Sequence, residues 1–329
     1  MPNATWTFHG GRLGEARTAY GDADGPWLDL STGINPHGWP GVAALEMDWR
    51  ALPDEQALAA LEAAAATHFG VRAANLCAVP GTEIGLRLVG TMIDGPAVRV
   101  GPGYRTHAAM LPTAREIRVE ALEKAVDASI LLANPNNPDG HVVSPSLLDA
   151  HLIRLAGSPH WLIVDEAFAD ASPAMSIADR VNDGRPLILF RSFGKFFGLA
   201  GVRLGFVLGP RTVIERVRAG LGSWPVSSAA LAIGTPAYRD RDWIEVMRAQ
   251  LQTEAAALDA VLLRHGLRPR GDCPLFRLVE TEDAAHLFDH LARQAILTRP
   301  FDHDSRLLRI GLPGSDAALA RLDRALARG

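Results

Sequence analysis

The sequence predicts an α/β fold, with a large domain on a mostly parallel sheet and a smaller α+β C-terminal domain after it. Three observations carry this. Short, mostly apolar runs at 97–100, 129–133, 161–164 and 186–190 alternate with helical patterns, as strands covered on both faces of a parallel sheet do. Polar residues follow directly on these runs, where open α/β sheets bind their ligands. After Leu221 the order changes to long helix, strand, helix, strand and helix.

Taken in order, residues 1–34 are glycine-rich and read as an irregular N-terminal arm, 35–222 as the large domain and 223–329 as the small one. A helix is expected from Glu55 to His68, where Ala, Leu and Glu dominate, Pro53-Asp54 opens the segment and Gly70 closes it. A second helix starts at Gly81 and runs through Val89. The strand at Ala97–Val100 leads into Pro102-Gly103-Tyr104 and a helix through Met110. The strand Ser129–Ala133 ends in Asn134-Pro135-Asn136-Asn137-Pro138, Trp161–Val164 in Asp165-Glu166, and Pro186–Phe190 in Arg191-Ser192-Phe193. In the last third, Asp242–Leu263 is an amphipathic helix, Cys273–Val279 a strand, Ala284–Gln294 a helix and Arg306–Gly311 a strand before a final helix.

Composition narrows the function classes. The chain has 329 residues, 48% hydrophobic and 21% charged, in the range of ordinary globular proteins. A net charge of −4 without a basic block leaves no footprint for nucleic acid or an anionic membrane. No apolar run is long enough to span a bilayer, and Met1–Gly10 has no signal-peptide pattern. The two cysteines, Cys77 and Cys273, lack metal-ligand spacing and read as core thiols of a cytoplasmic protein, so no metal site is expected.

The chemistry-bearing residues sit at the expected strand ends. Lys195 follows a buried strand in Ser192-Phe193-Gly194-Lys195. An enzyme using pyridoxal 5′-phosphate (PLP) needs an amine, an anion for the pyridine nitrogen, a donor to the phenolate oxygen and a phosphate cradle. Lys195 supplies the amine and Asp165 the anion, whose charge favours the protonated ring. Asn137 supplies the phenolate donor. The backbone amides of Thr82 and Glu83 at a helix start, the Ser192 hydroxyl and Arg203 supply the cradle.

Gly81-Thr82-Glu83, Asn134 through Gly140, Val164-Asp165-Glu166-Ala167-Phe168, and Ser192 to Lys195 with Arg203 eight residues on resemble fold-type-I PLP enzymes. The branch that they resemble includes histidinol-phosphate aminotransferases, with the aspartate aminotransferase fold. The resemblance implies a Schiff-base role for Lys195, a pyridine partner in Asp165, a phenolate contact from Asn137, and phosphate contacts from Ser192 and Arg203. It also implies that Arg309, in Leu308-Arg309-Ile310-Gly311, holds the substrate carboxylate as a bidentate fork. The ring that stacks on the cofactor falls on His107, with Tyr104 as its rival.

Two features of the arm, His9-Gly10-Gly11 and Leu28 through Pro36, resemble the threonine-phosphate decarboxylases of cobalamin biosynthesis. That likeness makes His9, Gly10 and Asn35 candidate contacts for a substrate phosphate. It implies decarboxylation of a phosphorylated amino acid, L-threonine O-3-phosphate, by a homodimer. Amino transfer to 2-oxoglutarate from histidinol phosphate and a non-catalytic binding role are the alternatives. Phe168 and Leu52 depart from the pattern, since both stand where many relatives have tyrosine.

Overall fold

The computed structural model describes residues 4–21 and 25–328. Its strands are β1 (Leu28–Asp29), β2 (Leu76–Val79), β3 (Ala97–Val100), β4 (Arg115–Ile117), β5 (Ser129–Ala133), β6 (Leu162–Asp165), β7 (Leu187–Ser192), β8 (Gly205–Leu208), β9 (Arg268–Arg270), β10 (Phe276–Glu280), β11 (Ile296–Leu297), β12 (Arg299–Pro300) and β13 (Leu307–Gly311). Its helices are α1 (Ala4–Phe8), α2 (Leu13–Tyr20), α3 (Glu55–Phe69), α4 (Thr82–Gly90), α5 (Arg105–Met110), α6 (Pro145–Leu155), α7 (Phe193–Phe196), α8 (Arg211–Leu221), α9 (Ser228–Arg239), α10 (Arg241–Arg264), α11 (Ala284–Ala292) and α12 (Asp316–Leu326).

The chain forms two compact units, one of residues 38–137 and 142–245, the other of residues 1–37, 138–141 and 246–329. The larger is built on a seven-stranded sheet of order β2-β8-β7-β6-β5-β3-β4. Strands β4, β3, β5, β6 and β7 pair in parallel, while β8 runs antiparallel to both β7 and β2. Hence β2 runs the same way as β7, and the carboxyl ends of β2, β3, β5, β6 and β7 share one edge. The start of β8 lies at that edge too. Strands β2, β5, β6 and β8 are buried throughout, which explains why they read as apolar runs rather than alternations. Val79, Leu86, Leu131, Ile163, Phe190 and Val207 belong to one core cluster, so α4 packs its apolar stripe on the sheet.

Local chemistry accounts for the helix ends. The Asp54 carboxylate accepts a hydrogen bond from the Ala57 amide at 2.9 Å and caps α3. Gly70 ends the helix in the left-handed region, at φ 72°. Strand β7 extends past the expected Phe190 to Ser192 because Ser192 pairs with Gly205 and Arg191 with Phe206 on antiparallel β8. That pairing is long-range and has no local signal.

The smaller unit holds a four-stranded antiparallel sheet of order β12-β13-β10-β9 and the parallel pair β1-β11. The arm corrects the expectation of irregular structure, since it contains α1, α2 and β1. Leu, Ala and Arg favour α2 although glycines flank it. Trp6 and Tyr20 of the arm meet Phe288 of α11, with ring centroids at 5.6 and 6.5 Å. Packing of these half-buried rings on the buried Phe288 overrides the glycine-rich local pattern. Among the described residues no helix is long and apolar enough to cross a membrane.

Candidate active site

The larger unit gathers seven of the candidate residues along one sheet edge. Asp165 is the last residue of β6 and Ser192 the last of neighbouring β7. Lys195 lies within α7, three residues past β7, and Asn137 lies four residues past β5. Thr82 and Glu83 open α4 just after β2, and Arg203 lies two residues before β8. The sequence scatters these residues over more than a hundred positions, and the strand order brings their strands side by side.

Glycines keep the head of α4 open. Gly81 has φ 85°, and a Cβ there would come within 2.6 Å of the Arg203 guanidinium. A Cβ on Gly205 would come within 2.8 Å of the Thr82 amide nitrogen. The first amides of a helix have no intrahelical acceptor. A guanidinium set against Gly81, at the start of such a helix, adds a positive group to free amide donors, the chemistry that anion sites use. The Glu83 side chain serves elsewhere, accepting hydrogen bonds from Thr106 (2.6 Å) and Tyr104 (3.1 Å) and pairing with Arg87 (2.8 Å). Burial pushes its carboxyl upward, but these donors outweigh that and hold it below the usual range. The Tyr104 hydroxyl is raised, chiefly by burial, so it stays a donor.

Asp165 is 5% exposed, and its Oδ2 lies 3.0 Å from His107 Nε2. The Ala167 amide donates to Oδ1 at 3.1 Å. His107 is 1% exposed, and its Nδ1 has no partner among the described residues. The imidazole therefore meets Asp165 edge-on through Nε2. Tyr104 stands edge-on to His107, with centroids 5.8 Å apart. Lys195 Nζ lies 5.8 Å from the centre of the buried Phe168 ring. Gly194 is required beside it, because a Cβ would meet Ala200 Cα at 2.6 Å.

The smaller unit gathers the remaining candidates. The Gly11 amide donates to Ser31 Oγ at 2.7 Å, and a Cβ on Gly10 would lie 2.3 Å from the Ser31 carbonyl oxygen. Arg309 Nη2 donates to that same carbonyl at 2.8 Å. One serine thus ties the His9-Gly10-Gly11 turn to Arg309. His9 packs its ring on Phe8 at 4.5 Å. Asn35 is buried, and its Oδ1 accepts from the His37 amide at 2.9 Å, shaping the turn that ends the arm.

One basic residue escapes a reading of the sequence alone. Arg299 on β12 pairs in register with Arg309 on β13, so two guanidinium side chains start from directly opposed positions. Like charges so placed repel. Burial, and then the Arg299 charge, push Arg309 down to about 9. An anion bound beside the two guanidinium groups lowers such repulsion. No local pattern marks Arg299, because its register with Arg309 exists only in the folded sheet. Among the described residues no cluster of His, Cys, Asp and Glu could hold a metal ion.

Sequence and fold both match one large class of enzymes. Residues 103–326 match aminotransferase class I and II, and the chain belongs to that family. Within it, a threonine-phosphate decarboxylase from Pseudomonas aeruginosa is 41% identical over 97% of this chain and 96% of its own. One from Sinorhizobium sp. is 40% identical, covering 97% of each. A histidinol-phosphate aminotransferase from Sinorhizobium meliloti, solved in complex with pyridoxal-5′-phosphate, superposes with a TM-score of 0.81 at 21% identity, covering 96% of this chain and 93% of that one.

Proposed function

We propose that the protein decarboxylates L-threonine O-3-phosphate to (R)-1-amino-2-propanol O-2-phosphate with PLP as cofactor, within cobalamin biosynthesis. The observation that carries this reading is the pair of full-length relatives near 40% identity that bear the decarboxylase name. The glycine-lined phosphate cradle at α4 and the Asp165 carboxylate at the end of β6 on the same sheet edge fit the cofactor's two anchoring needs. In this reading the enzyme is a cytoplasmic homodimer that takes a small phosphorylated amino acid.

PLP, when bound, supplies an electron sink in conjugation with the substrate's Cα. The chain's own residues do the rest. The Thr82 and Glu83 amides, Ser192 Oγ and Arg203 hold the cofactor phosphate. Asp165 keeps a proton on the ring nitrogen, and His107 Nε2 donates to Asp165 and fixes its orientation. The Nε2 contact engages only the edge of the His107 imidazole and leaves its face for the cofactor ring, and Asn137 donates to the phenolate oxygen. Lys195 Nζ would hold the cofactor at rest and, once released, would be the acid that delivers a proton to the substrate's Cα. Arg309 forks the substrate carboxylate. Arg299, with His9, Gly10 and Asn35, takes the substrate phosphate.

The test is incubation of PLP-loaded protein with L-threonine O-3-phosphate, following carbon dioxide and the amine product together. Equal amounts of both are expected. No carbon dioxide, with amino exchange to 2-oxoglutarate from histidinol phosphate instead, would overturn the reading.

A further inference from the structure

Behind the sheet edge that carries the candidate site lies a buried charge array without a part in the chemistry described so far. Arg191, Glu166 and Asp170 are 3%, 0% and 1% exposed as side chains. Arg191 Nη1 donates to Glu166 at 2.8 Å and to Ser176 Oγ at 3.0 Å, and Nη2 donates to Asp170. Ser176 Oγ and the Ile177 amide donate to Glu166 at 2.6 and 2.8 Å. The guanidinium lies 4.6 Å from the Phe69 ring centre, and His68 Nε2 lies 3.0 Å from Asp170.

Sequence position gives this array its meaning. Glu166 follows Asp165, and Arg191 precedes Ser192. Side chains alternate between the faces of a sheet. In the parallel register Asp165 pairs with Phe190, and the Glu166 amide donates to the Phe190 carbonyl at 2.9 Å. Asp165 and Ser192 therefore share one face, and Glu166 and Arg191 share the other. The loop that supplies Ser176 reaches a third strand end as well. Asn134, directly after β5, donates from Nδ2 to the Met175 carbonyl at 3.4 Å. Asn134 opens the turn that carries Asn137.

We propose that Arg191 is a positioning residue, which through Glu166 and Ser176 fixes the spacing of the strand ends presenting Asp165, Ser192 and Asn137. A buried ionic array adds little net stability against its desolvation cost. What it adds is direction: a bidentate guanidinium accepts few arrangements of its partners. A shift of about 1 Å at a reacting group costs on the order of a hundredfold in rate, so the brace acts on catalysis more than on folding. The inference rests on the PLP reading above.

The experiment compares wild type with Arg191→Lys, Glu166→Gln and Ser176→Ala, each loaded with PLP. Three measurements are made: the pH midpoint of the bound cofactor's visible band, kcat and KM for L-threonine O-3-phosphate, and thermal melting. A looser Asp165 holds less positive charge on the ring nitrogen, so the midpoint is expected to move up by roughly half a unit or more. We expect kcat to fall about tenfold in Arg191→Lys and Glu166→Gln. KM should stay within about twofold, because the residues assigned to the substrate anions lie outside the array. Ser176→Ala removes one hydroxyl and leaves the ion pairs, and should show a smaller shift in the same direction. Unchanged midpoint and kcat in the folded variants overturn the proposal. If the first two variants fail to fold, an unchanged midpoint in Ser176→Ala overturns it instead. Wild type that takes up no PLP overturns the functional reading and this inference together, whereas a coloured wild type with indifferent variants overturns the inference alone.

Discussion

Lys195→Ala removes the only amine proposed to tether the cofactor. The variant should melt as wild type does yet lose the visible band of bound PLP, and turnover should drop by at least about 10²–10⁴-fold, the acid–base share alone. A persisting band, read by absorbance after gel filtration, would mean that another lysine holds the cofactor. Arg309 makes a different prediction, because it lies opposite Arg299 and donates to the Ser31 carbonyl. Lysine there keeps the charge but loses the fork, so KM should rise about tenfold with kcat changed less. Steady-state kinetics on the phosphorylated substrate, and competitive inhibition by an analogue lacking the carboxylate, would check this. The Arg309→Lys penalty should vanish with the analogue. At this scale the sequence was most legible where identity implies chemistry, as at Lys195, Asp165 and Arg203. It was least legible where geometry decides, as in the choice between His107 and Tyr104. Both are aromatic and three residues apart, and only the folded protein shows that His107 meets Asp165 at 3.0 Å while Tyr104 meets Glu83 at 3.1 Å.

The close approach of the start of β8 to the head of α4 makes Gly205 a sensitive joint. A Cβ there would lie 2.8 Å from the Thr82 nitrogen and 3.1 Å from the Arg191 carbonyl oxygen, two backbone atoms that move only with their elements. Gly205→Ala should therefore cost about 1–3 kcal/mol, as overpacking does. Because it pushes on a cradle amide, it should also weaken PLP binding by about tenfold. Urea unfolding and a fluorescence titration with PLP would measure the two, and loss of stability without loss of affinity would detach Thr82 from the cradle. Elements with local signals were readable. Strands β3 and β5 fall on the expected residues, and α3 ends one residue beyond the expected His68. Strand β8 and helices α8 and α9 passed unread, since a short apolar run such as Gly205–Leu208 suits a strand or a buried helix equally.

Across the molecule, burial decides which groups respond to solvent. Cys77 is 1% exposed, and its thiol is pushed up to about 12, first by desolvation. A thiol that ionises later when folded stabilises the fold below the unfolded value of 9.0, and that contribution is lost as pH rises from there toward about 12. At pH 8 the folded protein should resist alkylation at Cys77, and urea should make it reactive; mass spectrometry of labelled native and unfolded samples would check this. Rapid native labelling would show that β2 opens without global unfolding. The amino-acid sequence by itself determined the α/β class, the buried strands and the residue types able to hold PLP, because hydrophobic period and side-chain chemistry are local properties. Only the tertiary structure decided which residues meet. The register of β12 on β13 brought Arg299 opposite Arg309, and the antiparallel β8 extended β7 to Ser192. It also set Arg191 and Glu166 behind Asp165 and folded the arm into helices against Phe288. Those outcomes depend on pairing and burial between distant segments, whose energies no single stretch of chain contains.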